Sequence, residues 1–398
     1  MNTKDKLSMQ NAKTFTAHNC LPRDAKHATL IGRMWSEQQG GPCVILIQNE
    51  QVYDITEYFP TSSALINTQN PLESLQELEL SNPLCNIQEL LSGTEQQSGN
   101  HLLAPCDLQS IKACGVTFID SLLERVVEEK ALGDRQEAAA IRQSILSSIG
   151  ADIRNIKPAS PEALKLKELL QSKGMWSQYL EVGLGPDAEV FTKSQPMSAI
   201  GLGDTIGLHP DSTWNNPEPE LVMCVNNRGQ IVGASLGNDV NLRDVEGRSA
   251  LLLGRAKDNN GSCVIGPFIR LFDERFSLDN IRRARVELRI LGQDGYLLQG
   301  SSDMSRISRD VEQLVQQVIG ENHQYPDGIM LFTGTMYAPV DDRFEDGQGF
   351  SHLDGDIVEI YNEQLGLLAN VVGKSNQVRP WTFGIGSLID NLSARGFL

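Results

Sequence analysis

The stretch from Asn216 to Asp239 constrains the fold more than any other part of the chain. Pro217-Glu218-Pro219-Glu220 leads into an apolar run to Val225. A turn at Asn226-Asn227-Arg228-Gly229 follows, and Gln230 to Asn238 runs back, which is the pattern of a β-hairpin. Alternate residues of a strand project from one face about 7 Å apart, so Glu218 and Glu220 are aimed the same way. A two-residue loop at Arg228-Gly229 sets Asp239 opposite Glu218, and one at Asn227-Arg228 sets it one pair farther along. Both put Asp239 on the face of the two glutamates. Three carboxylates on one partly buried face repel at neutral pH unless a proton or a cation intervenes. Oxygen-only ligation without His or Cys favours Mg²⁺, with Mn²⁺ or Ca²⁺ next, and leaves positions open for water or substrate. The plainer alternative is a solvated strand face beside a turn aspartate.

From Tyr179 onward the chain keeps the same grammar of short strands punctuated by glycine: 188–192, 204–208, 220–225, 231–236, 284–290, 295–298, 329–332, 356–361 and 366–372. One convincing helix interrupts them, Arg309 to Ile319, opened by Ser308 and Asp310 and closed by Gly320. Before it, apolar positions from Leu122 to Ile149 fit one or two amphipathic helices broken near Gly133. Ser160-Pro161-Glu162 starts another helix, which closes at Gly174. The class is α+β, mainly β, with a rolled or sandwiched sheet instead of a βαβ array. The expected organisation is a loose arm over 1–27, a small β-rich domain over 28–107 and the main domain over 108–398.

Composition narrows the function. Lysine plus arginine number 34 against 51 aspartate plus glutamate, a formal charge of −17 that repels phosphate backbones and anionic lipid surfaces. Neither nucleic acid nor membrane is an expected partner. Seven cysteines, odd in number and without C-x-x-C spacing, read as reduced thiols. With no signal-like apolar stretch near the N-terminus, the expected location is the cytoplasm. None of the six histidines has metal-ligand spacing, His209 being the one nearest the E-x-E strand, and no G-x-G-x-x-G or P-loop follows a strand.

Pro217-Glu218-Pro219-Glu220, the segment Gly237-Asn238-Asp239-Val240-Asn241-Leu242-Arg243-Asp244, Lys257, Phe332-Thr333-Gly334-Thr335 and Leu353-Asp354-Gly355-Asp356 together resemble the fumarylacetoacetate hydrolase family in order and spacing. The resemblance implies that family's mixed β-sandwich roll over 108–398, with Glu218, Glu220 and Asp239 as metal ligands and Lys257 beside the metal. Hydrolases of the family carry G-x-N-Y-x-x-H-x-x-E. Here Gly115 to Glu124 aligns with it, and Ser121 stands in place of the histidine while Glu124 is kept. A hydroxyl with no neighbouring base does not deprotonate water at neutral pH. The pattern is similar to the family's sugar-acid dehydratase branch, as are Trp176 to Leu180, Lys257 to Asn260 and Pro380 to Gly384.

The implied reaction is loss of water from a 2-keto-3-deoxy-pentonate derived from D-xylonate or D-arabinonate, giving 2,5-dioxopentanoate. The alternative is hydrolytic C–C cleavage of a 2,4-diketo acid. In the implied roles Glu124 is the general acid/base, its pKa raised by burial, and Lys257 is a second catalytic group whose pKa is lowered by desolvation and the nearby cation. Ser121, Gly334 and Thr335 are implied to bind the small 2-keto acid, and Ser302 and Arg306 are further candidates for its hydroxyls. Family members are commonly homodimers or homotetramers, and the same is expected here.

Overall fold

The computed structural model describes residues 14–398 except 81, 133, 135–136, 139, 142–155, 173–176 and 345–348. The expected helix break at Gly133, the end of the amphipathic pattern at Ile145 and Ile149, the helix end at Gly174 and Trp176 lie outside the described residues.

Eight strands form the spine of an eleven-stranded sheet: β1 (Leu30–Ser36), β2 (Gly41–Gln48), β3 (Ser110–Gly115), β4 (Glu189–Ser194), β5 (Pro219–Val225), β6 (Ile231–Asp239), β7 (Cys263–Leu271) and β8 (Ile329–Phe332). They lie in the order β2-β1-β7-β6-β5-β8-β3-β4, antiparallel except for the parallel pair β8–β3. A five-stranded sheet, ordered Leu297–Asp303, Arg285–Leu291, Ile357–Asn362, Gly366–Lys374 and Thr205–Leu208, packs on one face of it.

Strand β5 shows how the sequence specifies this sandwich. Leu221 and Met223 join Leu288, Ile290, Val358 and Ile360 of the second sheet in one core. Val222 and Cys224 join Ile111, Ala113 and Phe332 in a separate core on the opposite face. A strand buried on both sides reads as an unbroken apolar run rather than an alternating one, and each such Leu or Val contributes about 1.5–3 kcal/mol by leaving water. Glu220 within the strand and Glu218 just before it continue the face of Val222 and Cys224, away from the second sheet.

The hairpin register follows one of the two expected alternatives, but the loop does not. Asn226 N–H donates to Gln230 O (2.9 Å) and closes a three-residue loop, with Gly229 at φ +76°. A bulge between Cys224 and Val225 then restores the pairing of Pro219 with Asn238, which puts Asp239 beside Glu218. The sheet also rolls. Its edge strand β4 comes back against β6, four places away in the order, bringing Lys193 Nζ within 2.9 Å of Asp239 Oδ1.

Three expectations are corrected. The described part of the arm is not loose: Thr16 caps Ala17–Cys20, Cys20 is fully buried, and Asp24 pairs with the buried Arg270 at 2.6 Å. Strand β7 was missed because Gly266-Pro267 reads as a breaker; the proline lies where the register against β6 shifts, so its missing N–H breaks no regular ladder. Helix Ile385–Ala394 was also missed, although Ile385, Leu388, Ile389 and Leu392 have helical spacing, because Gly384 and Gly386 obscure its start. Residues 28–107 share the main sheet with the later residues through the β1–β7 pairing. No described helix is long and apolar enough to cross a membrane.

Candidate functional site

Glu218, Glu220 and Asp239 each present a carboxylate oxygen within 4.8 Å of the others, and all three side chains are buried. The hairpin sets their spacing, and the loop after β8 fixes Glu220. Gly334 N–H donates to Glu220 Oε2 at 2.7 Å, which needs a residue at φ +89° with Thr117 Oγ1 so close that a Cβ would stand 2.0 Å from it. Only glycine satisfies both conditions.

Helix α1 (Ile119–Lys130) lies over the cluster, and helices α2 (Arg243–Glu246) and α3 (Leu253–Lys257) flank it. Lys257 Nζ, at the end of α3, bonds Glu218 Oε2 (2.7 Å) and Asp239 Oδ2 (3.0 Å). Lys193 Nζ holds the other oxygen of Asp239 and also donates to the carbonyls of Val240 and Lys257. From α1, Arg125 bonds Glu218 and reaches Glu128 (2.6 Å) and Glu246 (3.0 Å), while Arg243 Nε lies 3.1 Å from Glu128. Glu189 on β4 is coupled electrostatically to Glu246, Arg125, Lys257 and Glu218.

These contacts set the titration of the site. Burial, then the Asp239 and Glu218 charges, push the Glu220 carboxyl well above the usual range. Burial also acts upward on Asp239, but the ammonium groups of Lys193 and Lys257 outweigh it and hold Asp239 low. Lys257 contradicts its expected direction. Burial disfavours its charge, yet Asp239 and Glu218 outweigh burial and raise its pKa, so the lysine is a firm cation here. Glu189 is pushed up to about 7 by burial and then by Glu246, against the pull of Arg125.

The residues fit a hard divalent cation. The donor set is oxygen only, and among the described residues the connected cluster has six carboxyl groups (Glu128, Glu189, Glu218, Glu220, Asp239, Glu246) against four cationic groups (Arg125, Lys193, Arg243, Lys257). The excess of carboxyl groups, and the repulsion that Asp239 and Glu218 impose on Glu220, are what a divalent ion would relieve.

The other candidates are placed as follows. Ser121 Oγ donates to Phe118 O (2.8 Å) at the start of α1, and Glu124 is half-buried on the same helix, but Arg125 is the α1 residue seen to reach Glu218. Thr335 is buried, and its Oγ1 donates to Tyr337 O (3.1 Å). Ser302 Oγ accepts from Met336 N–H (2.9 Å), and Arg306 pairs with Asp120 (2.6 Å). His209 contacts Asp211 and Arg255 instead of the carboxylates. Sequence reasoning missed Arg125, Lys193, Glu189 and Glu246. Ser121, Arg125 and Glu128 do share one helix face by spacing, and that signal was available.

The family described as fumarylacetoacetate (FAA) hydrolase C-terminal matches residues 170–373. A 2-dehydro-3-deoxy-D-arabinonate dehydratase of Saccharolobus solfataricus is 31% identical over 278 residues, covering 65% of this chain and 88% of its own. A probable 2-keto-3-deoxyxylonate dehydratase of Haloferax volcanii is 27% identical over 271 residues, covering 67% and 86% respectively. Among solved structures, 2-keto-3-deoxy-D-arabinonate dehydratase complexed with magnesium and 2,5-dioxopentanoate matches with a TM-score of 0.58 at 21% identity, over 87% of this chain and 99% of that one. A fumarylacetoacetate hydrolase from Exiguobacterium antarcticum matches at 0.53 and 18% identity, over 87% and 100%. The structural likenesses show a shared α+β, mainly β fold. Matched by the family over more than half its length, and 31% identical to a relative of which it covers 88%, the chain belongs to the fumarylacetoacetate hydrolase family.

Proposed function

We propose that the protein is a metal-dependent dehydratase that converts a 2-keto-3-deoxy-pentonate to 2,5-dioxopentanoate. The observation that carries this reading is the buried convergence of Glu218, Glu220 and Asp239 with Lys257 between two of them, in a chain similar to named dehydratases of such acids. Those three carboxylates would hold Mg²⁺, with Mn²⁺ or Ca²⁺ as alternatives. When bound, the ion supplies Lewis-acid stabilisation of the charge that develops on the C1 and C2 oxygens of the substrate.

The chain's own groups handle the protons. The C3–H bond breaks, its proton goes to a carboxylate, and the C4–O bond breaks with the hydroxyl protonated to water. Relocation of a proton from C5 to C3 then gives the C4=C5 enol, and transfer of its hydroxyl proton to C4 makes C5 the aldehyde. Glu189, which holds a proton near neutrality, and Glu124 on α1 divide the transfers at C3 and C4. Lys257, charged by its neighbours, donates to the oxygen at C2 and limits the spread of negative charge. Ser121, Gly334 and Thr335 line the substrate, Gly334 also fixing Glu220. The enzyme works as a cytoplasmic homodimer or homotetramer in this reading.

Purified protein incubated with Mg²⁺ and 2-keto-3-deoxy-D-xylonate or D-arabinonate is expected to yield 2,5-dioxopentanoate, one water lighter by mass spectrometry, and to stop when EDTA is added. Cleavage of a 2,4-diketo acid into two fragments, with no dehydration of either pentonate, would establish the hydrolase reading in its place.

A further inference from the structure

Past the carboxylates the two segments of the hairpin pair again as a separate two-stranded sheet. Asp239 N–H donates to Glu218 O (3.1 Å), and the next rung pairs Asn241 with Asn216, about 7 Å farther along. Both asparagine side chains are fully buried. A carboxamide offers an acceptor oxygen and two N–H donors. Asn216 Nδ2 donates to Pro217 O (2.8 Å), leaving its Oδ1 unpaired, and neither Oδ1 nor Nδ2 of Asn241 has a partner among the described residues. Folded chains keep few dry, unpaired polar atoms, and here three share one rung. The adjacent Asn215 shows what a structural asparagine does: its Nδ2 donates to Ser212 Oγ (3.2 Å) and its Oδ1 accepts from His352 N–H (3.2 Å).

We propose that the Asn216–Asn241 rung is the subsite that recognises the hydroxyl end of the substrate, above all the C5 hydroxyl. The inference rests on the dehydratase reading and extends it to specificity. An acid held through C1 and C2 at the Glu218–Asp239 rung has two directions in which to lay C3 to C5. Toward Glu220 the ladder meets Gly237, where a Cβ would strike Phe332 and Val222 at 2.3 and 2.5 Å, so that side is apolar and full. Toward Asn216 and Asn241 it meets unpaired donors and acceptors. A hydroxyl there donates to a carboxamide oxygen and accepts from Asn241 Nδ2. The rung is as deeply buried as Glu218 and Asp239, which are 3% and 2% exposed.

The test compares 2-keto-3-deoxy-pentonate with 4-hydroxy-2-oxopentanoate, which keeps the reacting C2 to C4 unit but lacks the C5 hydroxyl. Asn241→Leu, nearly isosteric, is expected to lower kcat/KM about 10–100-fold on the pentonate and to leave it within about threefold on the deoxy analogue. Inhibition by pyruvate and calorimetric Mn²⁺ binding should be unchanged, since both use only the carboxylate rung. Asn216→Leu, read the same way, replaces Asn241→Leu if that variant does not fold. Equal loss on both substrates, or no loss on either, would overturn the inference. Wild-type protein that dehydrates neither acid would sink the reading beneath it as well.

Discussion

Glu218 and Asp239 lie on one rung of the hairpin, yet the cations that hold them come from different kinds of structure. Lys193 stands on a strand of the rolled sheet, completely buried, its Nζ reaching Asp239 and the carbonyls of Val240 and Lys257. Arg125 stands on a helix laid over the sheet, its side chain 12% exposed and spread over Glu218, Glu128 and Glu246. The floor is fixed by ladders buried on both faces, so its geometry is set when the sheet forms. The roof is held by ion pairs at a partly wet edge, and it can shift without breaking a strand pairing.

The floor's own carboxylates give the largest expected effect. Asp239→Asn or Glu218→Gln should lower kcat about 10³-fold or more at saturating Mg²⁺ in the dehydration assay. Lys193→Met comes next: removing one partner of a buried pair leaves Asp239 with a single ammonium, and chemical denaturation should show a loss of about 3–5 kcal/mol. Arg125→Met should lower activity about 10–100-fold but cost less stability than Lys193→Met. Equal stability losses for the two would erase the distinction between floor and roof.

The pH dependence of Glu189 offers a smaller effect with a definite sign. Its folded pKa of about 7 lies above the ordinary 4.5, so the folded state binds the extra proton. The stability from that proton is fully present below about 4.5 and is lost as pH rises through about 7. Glu189→Gln should flatten that part of a melting-temperature profile. Ser121→Ala, which loses only a hydroxyl bonded to Phe118 O, should change kcat/KM a few-fold at most.

The floor was legible in the sequence because strand parity is arithmetic: either plausible turn put Asp239 on the glutamate face, and the bulge only decided which rung it joined. The alternating cores of β5 and the family motifs were legible for the same local reason. The roof was not, because its contacts join segments far apart in the chain. Nothing near Lys193 or Glu189 announces that β4 returns against β6 when the sheet rolls. Arg125 was overlooked beside Glu124, although its helix face was predictable from spacing. The direction of the Lys257 shift was misjudged because the carboxylates around it outweigh burial, which sequence spacing does not weigh.

Calorimetric titration of the wild-type protein with Mn²⁺, repeated on Glu220→Gln, addresses the metal centre most directly. The structure predicts one ion per chain for the wild type and at least a hundredfold weaker binding for the variant, with the variant's melting temperature in EDTA equal to or above the wild type's because a repelling carboxyl has gone. Wild-type protein that takes up no Mn²⁺, or a variant that binds it as tightly, would contradict the assignment of Glu218, Glu220 and Asp239 as its ligands.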